Sequence, residues 1–368
     1  MRARVAKQDI LSAVMHTFNI ADKKSVVPIL SYVLLNFDEK GLTLKATDLD
    51  QSLIETVAAD VDTFGTVTVP AGTFSDIVRK LPDDATLEFS FADKGEKLLL
   101  TAGKSKFELS TLDPSDFPEI ALLNNSCNFK LKAADLNRLI SRTKFSMSPE
   151  ENRHNLNGIY LHKEDERLEA ASTDGHRLSV SSIPLASKES IQGVIISKKT
   201  VLELKKLLDS DYEDVSLTFT ANQVQFAIGN ITFISKLVDG TFPDYKRVIP
   251  QKEDSGSFVV KRTDFSEIID RVIVMSDEKV RPVKLELGPN TLSCYVANSK
   301  LGSGKDEVDV EYEGQAWSAG FNSSYLLDVA QTLEGEKLRI YIRESLSPIL
   351  IEDESESESL FVVMPMRI

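Results

Sequence analysis

The sequence predicts an α+β protein in which one domain plan is used three times. Two observations carry this. A strand end running into an amphipathic helix recurs about every 125 residues, at 69–81 (VPAGTFSDIVRKL), 196–208 (ISKKTVLELKKLL) and 321–333 (FNSSYLLDVAQTL). Phe74, Ile77 and Leu81 match Val201, Leu204 and Leu208, and Leu326, Val329 and Leu333, each set on one helix face at i, i+3 and i+7. In the middle copy Lys198, Lys199, Lys205 and Lys206 stay off that face. The second observation is that each third also opens with a helical window followed by alternating, strand-like runs.

The first window is 7–19, with Ile10, Leu11, Val14 and Phe18 in helical register. The second is 133–145 (Leu136, Leu139, Ile140) and the third 262–275 (Phe265, Ile268, Ile269, Val272). Asp9, Asp135 and Asp264 stand near the starts, where a carboxylate meets unpaired amides and the positive end of the helix dipole. The runs 41–46, 167–171 and 291–296 predict matching strands, as do 86–91, 215–220 and 337–343 after each later helix. Ala46-Thr47-Asp48 recurs as Ser172-Thr173-Asp174. Phe117-Pro118 and Phe242-Pro243 close the first two thirds, and proline there favours an extended linker. The expected domains are 1–124, 125–251 and 252–368. The run 352–359 (EDESESES) is expected to be a solvated acidic loop before the last strand.

At 368 residues the chain is long enough for two or three domains, and 42% hydrophobic residues is ordinary for a globular protein. No stretch is long and apolar enough to predict a membrane span, and no apolar segment follows Arg2 and Arg4 to suggest a signal peptide. Cys127 and Cys294 lie far apart, which fits a reduced, cytoplasmic protein. The formal net charge of −14 by itself argues against a polyanion ligand. Its distribution argues the other way: the six helical windows carry a net +4, leaving −18 for the remainder of the chain. A basic helical wall would hold phosphates without reading sequence.

Catalytic chemistry is hard to find, and neither cofactor nor metal is expected. The segment 302–306 (GSGKD) lacks the upstream Gly and the final Ser or Thr of a phosphate loop. Ser318 echoes a nucleophile elbow, but all four histidines precede it, against the order that fold requires. No metal-binding spacing is present. Asp174-Gly175-His176-Arg177 could hold an Asp–His base. The favoured alternative is a tight turn in which Gly175 takes positive φ and Asp174 bonds nearby amides.

The threefold repetition, 156–158 (LNG), 173–178 (TDGHRL), 236–240 (KLVDG) with 242–245 (FPDY), 321–325 (FNSSY) and the terminal 362–368 (VVMPMRI) closely resemble the bacterial sliding clamp family. These are the beta subunits of the DNA polymerase III holoenzyme, and the likeness runs the whole length in the same order. It implies a non-enzymatic processivity factor: a head-to-tail homodimer closing six domains into a ring, helices inside and sheets outside, with double-stranded DNA through the hole. By family position Lys24, Arg153 and His154 meet DNA. Arg138, Arg142, Lys198 and Lys199 join them from charge and helix position.

The resemblance also implies a peptide-binding pocket. It would be formed by Leu156, Thr173, Gly175, His176, Arg177 and Leu178 with Pro243, Arg247 and Val248. Asn322, Tyr325, Leu346, Val362, Met364, Pro365, Met366 and Arg367 would complete it. Methionines and aliphatics suit an adaptable cleft, with His176 and Arg177 as polar anchors at its rim. The implied partners are the DNA polymerase III alpha subunit, the clamp loader complex, other polymerases, ligase and mismatch-repair proteins, all through short linear motifs with Leu and Phe anchors. Burying two such anchors is worth roughly 3–6 kcal/mol, short of the about 8 kcal/mol of a micromolar complex. Polar contacts must supply the rest, so partners should exchange readily. The dimer seam should set Phe107 and Leu109, flanked by Lys104 and Lys106, against Val274, Met275, Asp306, Glu307 and Asp309 of a second copy. A peptide scaffold without DNA, and a hydrolase using Asp174 and His176, remain as alternatives.

Overall fold

The computed structural model describes residues 2–91, 97–123, 127–185, 192–209, 212–276 and 281–367. The expected boundary at 124 falls outside them.

Six helices form where the apolar periodicity predicts them: α1 Lys7–Ile20, α2 Ala71–Lys80, α3 Ala133–Thr143, α4 Lys198–Leu208, α5 Arg262–Val272 and α6 Ser323–Thr332. Each follows a strand without a connecting loop, so a strand backbone must turn directly into a helix whose first amides need acceptors. Carbonyls from elsewhere in the chain provide them. Lys7 N donates to Ala85 O at 2.8 Å, Ala133 N to Glu213 O at 2.9 Å and Arg262 N to Glu336 O at 2.9 Å. Lys198 N and Ser323 N, at the second helix of their repeats, donate to Asn157 O and Arg281 O. The N-cap side chains of α1 and α5 make no capping bond, and Asp9 and Asp264 sit within the first turn. Their contribution is to the helix dipole.

The chain divides into two compact units, Met1–Leu136 with Leu202–Leu237, and Asn137–Val201 with Val238–Ile368. All three cuts fall in the middle third, two inside helices α3 and α4 and one at the end of the strand Ile231–Val238.

In the first unit one antiparallel sheet runs Gly65–Pro70, Tyr32–Asp38, Gly41–Thr47, Gln51–Val57, Ile231–Val238, Gln223–Ile228, Asp214–Phe219, Cys127–Lys132. A second runs Asp60–Thr63, Arg2–Ala6, Thr86–Phe91, Lys97–Ala102, Ser105–Ser110. In the second unit the larger sheet runs Gly256–Lys261, Lys337–Ile342, Ile349–Asp353, Glu356–Val363, Arg177–Pro184, Arg167–Thr173, Gly158–Glu164, Val194–Ser197. The smaller one runs Gly302–Asp309, Thr291–Asn298, Pro282–Gly288, Trp317–Asn322. Within the second unit α5 and α6 pack on a core that includes Phe258, Phe265, Phe321 and Phe361, all at most 1% exposed.

Two expectations are corrected here. The acidic run 352–359 is a strand hairpin, not a solvated loop: it belongs to Ile349–Asp353 and Glu356–Val363, and Glu352, Asp353 and Ser359 are buried. The alternation of Glu and Ser is the period-two pattern of a strand. It brings Glu356 and Glu358 to arginines of the same unit. Arg138 reaches Glu358 at 2.7 Å and Glu356 at 3.4 Å, and Arg167 reaches Glu358 at 3.4 Å. Arg142 is 2% exposed and donates to Thr332 O at 2.6 Å and to Glu356 at 3.3 Å. Neither Arg138 nor Arg142 offers the free guanidinium expected of a DNA contact. The positive charge counted on α3 is matched by acidic partners more than two hundred positions away in sequence.

Candidate functional site

The second unit holds a cleft of about 450 Å³. Its rim is the turn between Arg167–Thr173 and Arg177–Pro184. Thr173 Oγ1 donates to Arg177 O and accepts from Gly175 N at 3.0 Å. Asp174 Oδ1 accepts from His176 N at 2.9 Å and Arg177 N at 3.1 Å. Gly175 has φ +92, a left-handed conformation that a Cβ disfavours. This is the tight turn preferred over a catalytic Asp–His pair. The Asp174 carboxylate is engaged by backbone amides and by Arg177, so no base is set beside His176.

The next strand pairing makes the floor. Leu178 lies opposite Val362 and Arg177 opposite Val363 in antiparallel register, and Met364 N donates to His176 O at 2.9 Å. Leu156, Leu178 and Val362 are buried at 6%, 3% and 2% exposure and form the apolar base. Met364 and Val248 stand above it at 40% and 52%. The base continues into Phe242 and Tyr245, which pack with Leu156 and Val362. An apolar floor with two exposed apolar walls suits aliphatic or aromatic anchors.

Arg177, expected as a polar anchor at the rim, lines the cleft and is itself held on several sides. Its Nε donates to Asp174 at 3.1 Å, and its two terminal nitrogens to Asp328 and to Phe145 O. The guanidinium lies 4.3 Å from the Tyr325 ring centroid. It braces the turn against α6, and burial pushes the Tyr325 hydroxyl pKa upward.

Of the expected pocket residues, Leu156, Thr173, Gly175, Arg177, Leu178, Pro243, Val248, Val362 and Met364 line the cleft. The others do not line it. His176 is exposed on the turn, Arg247 is exposed and pairs with Asp244 at 2.7 Å, and Leu346 is 67% exposed. Asn322 caps α6 by accepting from Ser324 N at 3.0 Å. The Tyr325 ring packs on the Arg177 guanidinium, and Pro365, Met366 and Arg367 continue beyond Met364, with Met366 N bonded to Gly320 O. Arg153, Asn155, Asp244 and Tyr245 line the cleft without having been expected there. Arg153, assigned to DNA, donates to Asp174 O at 2.8 Å and so supports the turn. Tyr245 was legible in the Phe-Pro-Asp-Tyr motif; nothing in spacing pointed Arg153 toward Asp174.

The remaining DNA-contact candidates lie at the surface: Lys24, His154 and Lys199 are exposed and Lys198 partly so. At the expected seam, Ser105–Ser110 and Gly302–Asp309 are edge strands, each paired on one side only among the described residues. Lys104 and Lys106 are exposed and Phe107 half-buried. Leu109 is a correction: at 3% exposure it belongs to its own sheet's core. Val274 is 75% exposed and Met275 half-buried. Asp306 is held by Arg271, which keeps its carboxyl below the usual range, and Glu307 by Lys305 at 2.7 Å.

The whole chain is similar to described families of the DNA polymerase III beta subunit. Residues 1–121 match its N-terminal domain, 130–244 its central domain and 246–367 its C-terminal domain. It is 36% identical to the beta sliding clamp of Caulobacter vibrioides (strain NA1000 / CB15N) over 374 residues and 35% identical to that of Escherichia coli (strain K12) over 373, covering 100% of each chain. Among solved structures it is similar to the Bartonella birtlesii sliding clamp bound to griselimycin, with TM-score 0.95 and 37% identity over 100% of both chains. The Pseudomonas aeruginosa DNA polymerase III subunit beta gives TM-score 0.93 and 35% identity, again over 100% of both chains.

Proposed function

We propose a working assembly for this chain, which belongs to the DNA polymerase III beta-subunit family of bacterial sliding clamps and is a non-catalytic processivity factor. Two copies join head to tail into a ring of six repeats. Duplex DNA passes through the ring, in the cytoplasm. The polymerase alpha subunit, the clamp loader, other polymerases, ligase and mismatch-repair proteins dock short motifs in the cleft around Leu178, Val362 and Met364.

The observation that carries the ring is the pair of open sheet edges. Ser105–Ser110 with Lys104 carries two lysines and Glu108, a net +1, while Gly302–Asp309 carries Lys305 with Asp306, Glu307 and Asp309, a net −2. Edges of opposite charge favour a heterologous contact that closes after two copies. A closed ring retains DNA by topology, so weak, sequence-independent phosphate contacts from Lys24, His154, Lys198 and Lys199 suffice. Domain boundaries near 124 and 251 fit this repeat scheme.

Retention on DNA after loading by a matched clamp loader tests the proposal, on a nicked circle and on the same molecule cut once. Retention on the circle with rapid loss from the linear form is expected. Equal retention on both would mean affinity binding without encirclement. Loss from both, with peptide binding intact, would leave a peptide scaffold.

A further inference from the structure

We propose that His162, Glu164 and Glu169 form a divalent-metal site of the zinc type, behind the short turn Tyr245–Val248 that walls the peptide cleft. Strand register builds it. Gly158–Glu164 and Arg167–Thr173 run antiparallel with His162 directly opposite Glu169. Glu164 lies two residues beyond His162, so all three side chains project from one face. His162 Nε2 lies 3.6 Å from a Glu169 oxygen and 3.8 Å from a Glu164 oxygen. The three donor atoms lie within 4.8 Å of one another. Zinc binds imidazole nitrogen and carboxylate oxygen at about 2.0–2.2 Å, so a modest inward rotation of two long glutamates completes the site. One imidazole with two carboxylates suits zinc or manganese better than calcium, which prefers oxygen alone.

Two further observations point to a cation here. The place already holds one, because the Lys246 ammonium bonds Glu164. The imidazole is also held in place. His162 stacks on Tyr160 with centroids 4.8 Å apart, and its Nε2 is the ring nitrogen that faces both carboxylates. The Tyr245 hydroxyl donates to Glu169 at 3.0 Å and lies 3.3 Å from His162 Nε2, closing the remaining side. A divalent ion would take the place of the Lys246 ammonium and neutralise both carboxylates.

The test uses the full chain and zinc chloride alone, by titration calorimetry and by anomalous diffraction at the zinc edge. One zinc per chain at the three side chains is expected. His162→Gln and Glu164→Gln should each weaken binding at least about tenfold. Glu164 is partly exposed, so its variant should melt like the parent. Lys246→Met removes the competing ammonium and should tighten binding severalfold, a gain that misfolding cannot produce. No zinc, zinc at other residues, unchanged affinity in the Gln variants, or weaker binding in Lys246→Met would each overturn the proposal.

Discussion

Thr47–Gln51 and Thr173–Arg177 are one turn built twice, once in each unit, and the second borders the cleft. The backbone scheme is shared. Thr47 Oγ1 donates to Gln51 O and accepts from Leu49 N, while Asp48 Oδ1 accepts from Asp50 N and Gln51 N. Thr173 and Asp174 repeat every one of these bonds. Three side chains differ, Leu49 against Gly175, Asp50 against His176 and Gln51 against Arg177, and the first and last set the two turns apart. Leu49 takes φ 74 where Gly175 takes φ 92, and stands 54% exposed. Gln51 is buried at 2%, whereas Arg177 ties its turn to Asp328, Phe145 and Tyr325. Repetition therefore supplies the geometry of the turn. A glycine that leaves space for Arg153 and an arginine that braces the turn from behind make the second copy the rim of the cleft.

Arg177→Ala should break this difference most strongly. It leaves the buried Asp174 carboxylate without its cation and should cost about 3 kcal/mol of stability, with loss of peptide binding. Gln51→Ala should cost about 1 kcal/mol. Urea unfolding of both variants compares them, and equal losses would mean that the two turns are braced alike.

Gly175→Ala comes next. A Cβ there would lie 3.2 Å from Arg153 Nη2, on a backbone of φ +92. A loss of about 1–2 kcal/mol and about tenfold weaker binding of a Leu/Phe-anchored peptide are expected, read by thermal melting and fluorescence anisotropy. Met364→Ala should leave stability within about 0.5 kcal/mol, because the side chain is already 40% exposed. It should still weaken the peptide about fivefold by removing one apolar wall. Unchanged binding in that titration would move the pocket elsewhere. The smallest effect is expected for Leu49→Gly, within about 0.5 kcal/mol in the same melts, since relief of left-handed strain offsets the added entropy of glycine.

Much of this was legible in the chain. All six helices, the matched strands and the tight turn at Gly175 follow from local periodicity and turn chemistry. Such signals lie within a few residues of the elements they specify. The likeness of TDGHRL and VVMPMR to a known family carried the site further than periodicity could. The two errors of charge share one cause. Arg138 and Arg142 looked like surface cations, and 352–359 looked like a solvated acidic tract. They are one another's partners, joined across more than two hundred residues. A charge pattern specifies neither its own burial nor its counterion. In the same way, nothing near Arg153 showed that its guanidinium meets the carbonyl of Asp174. The repeat, its elements and the turn can be read from the chain, because they rest on short-range backbone preferences. Which charges face water and which side chains border the cleft emerge on folding, because they depend on what distant strands bring alongside.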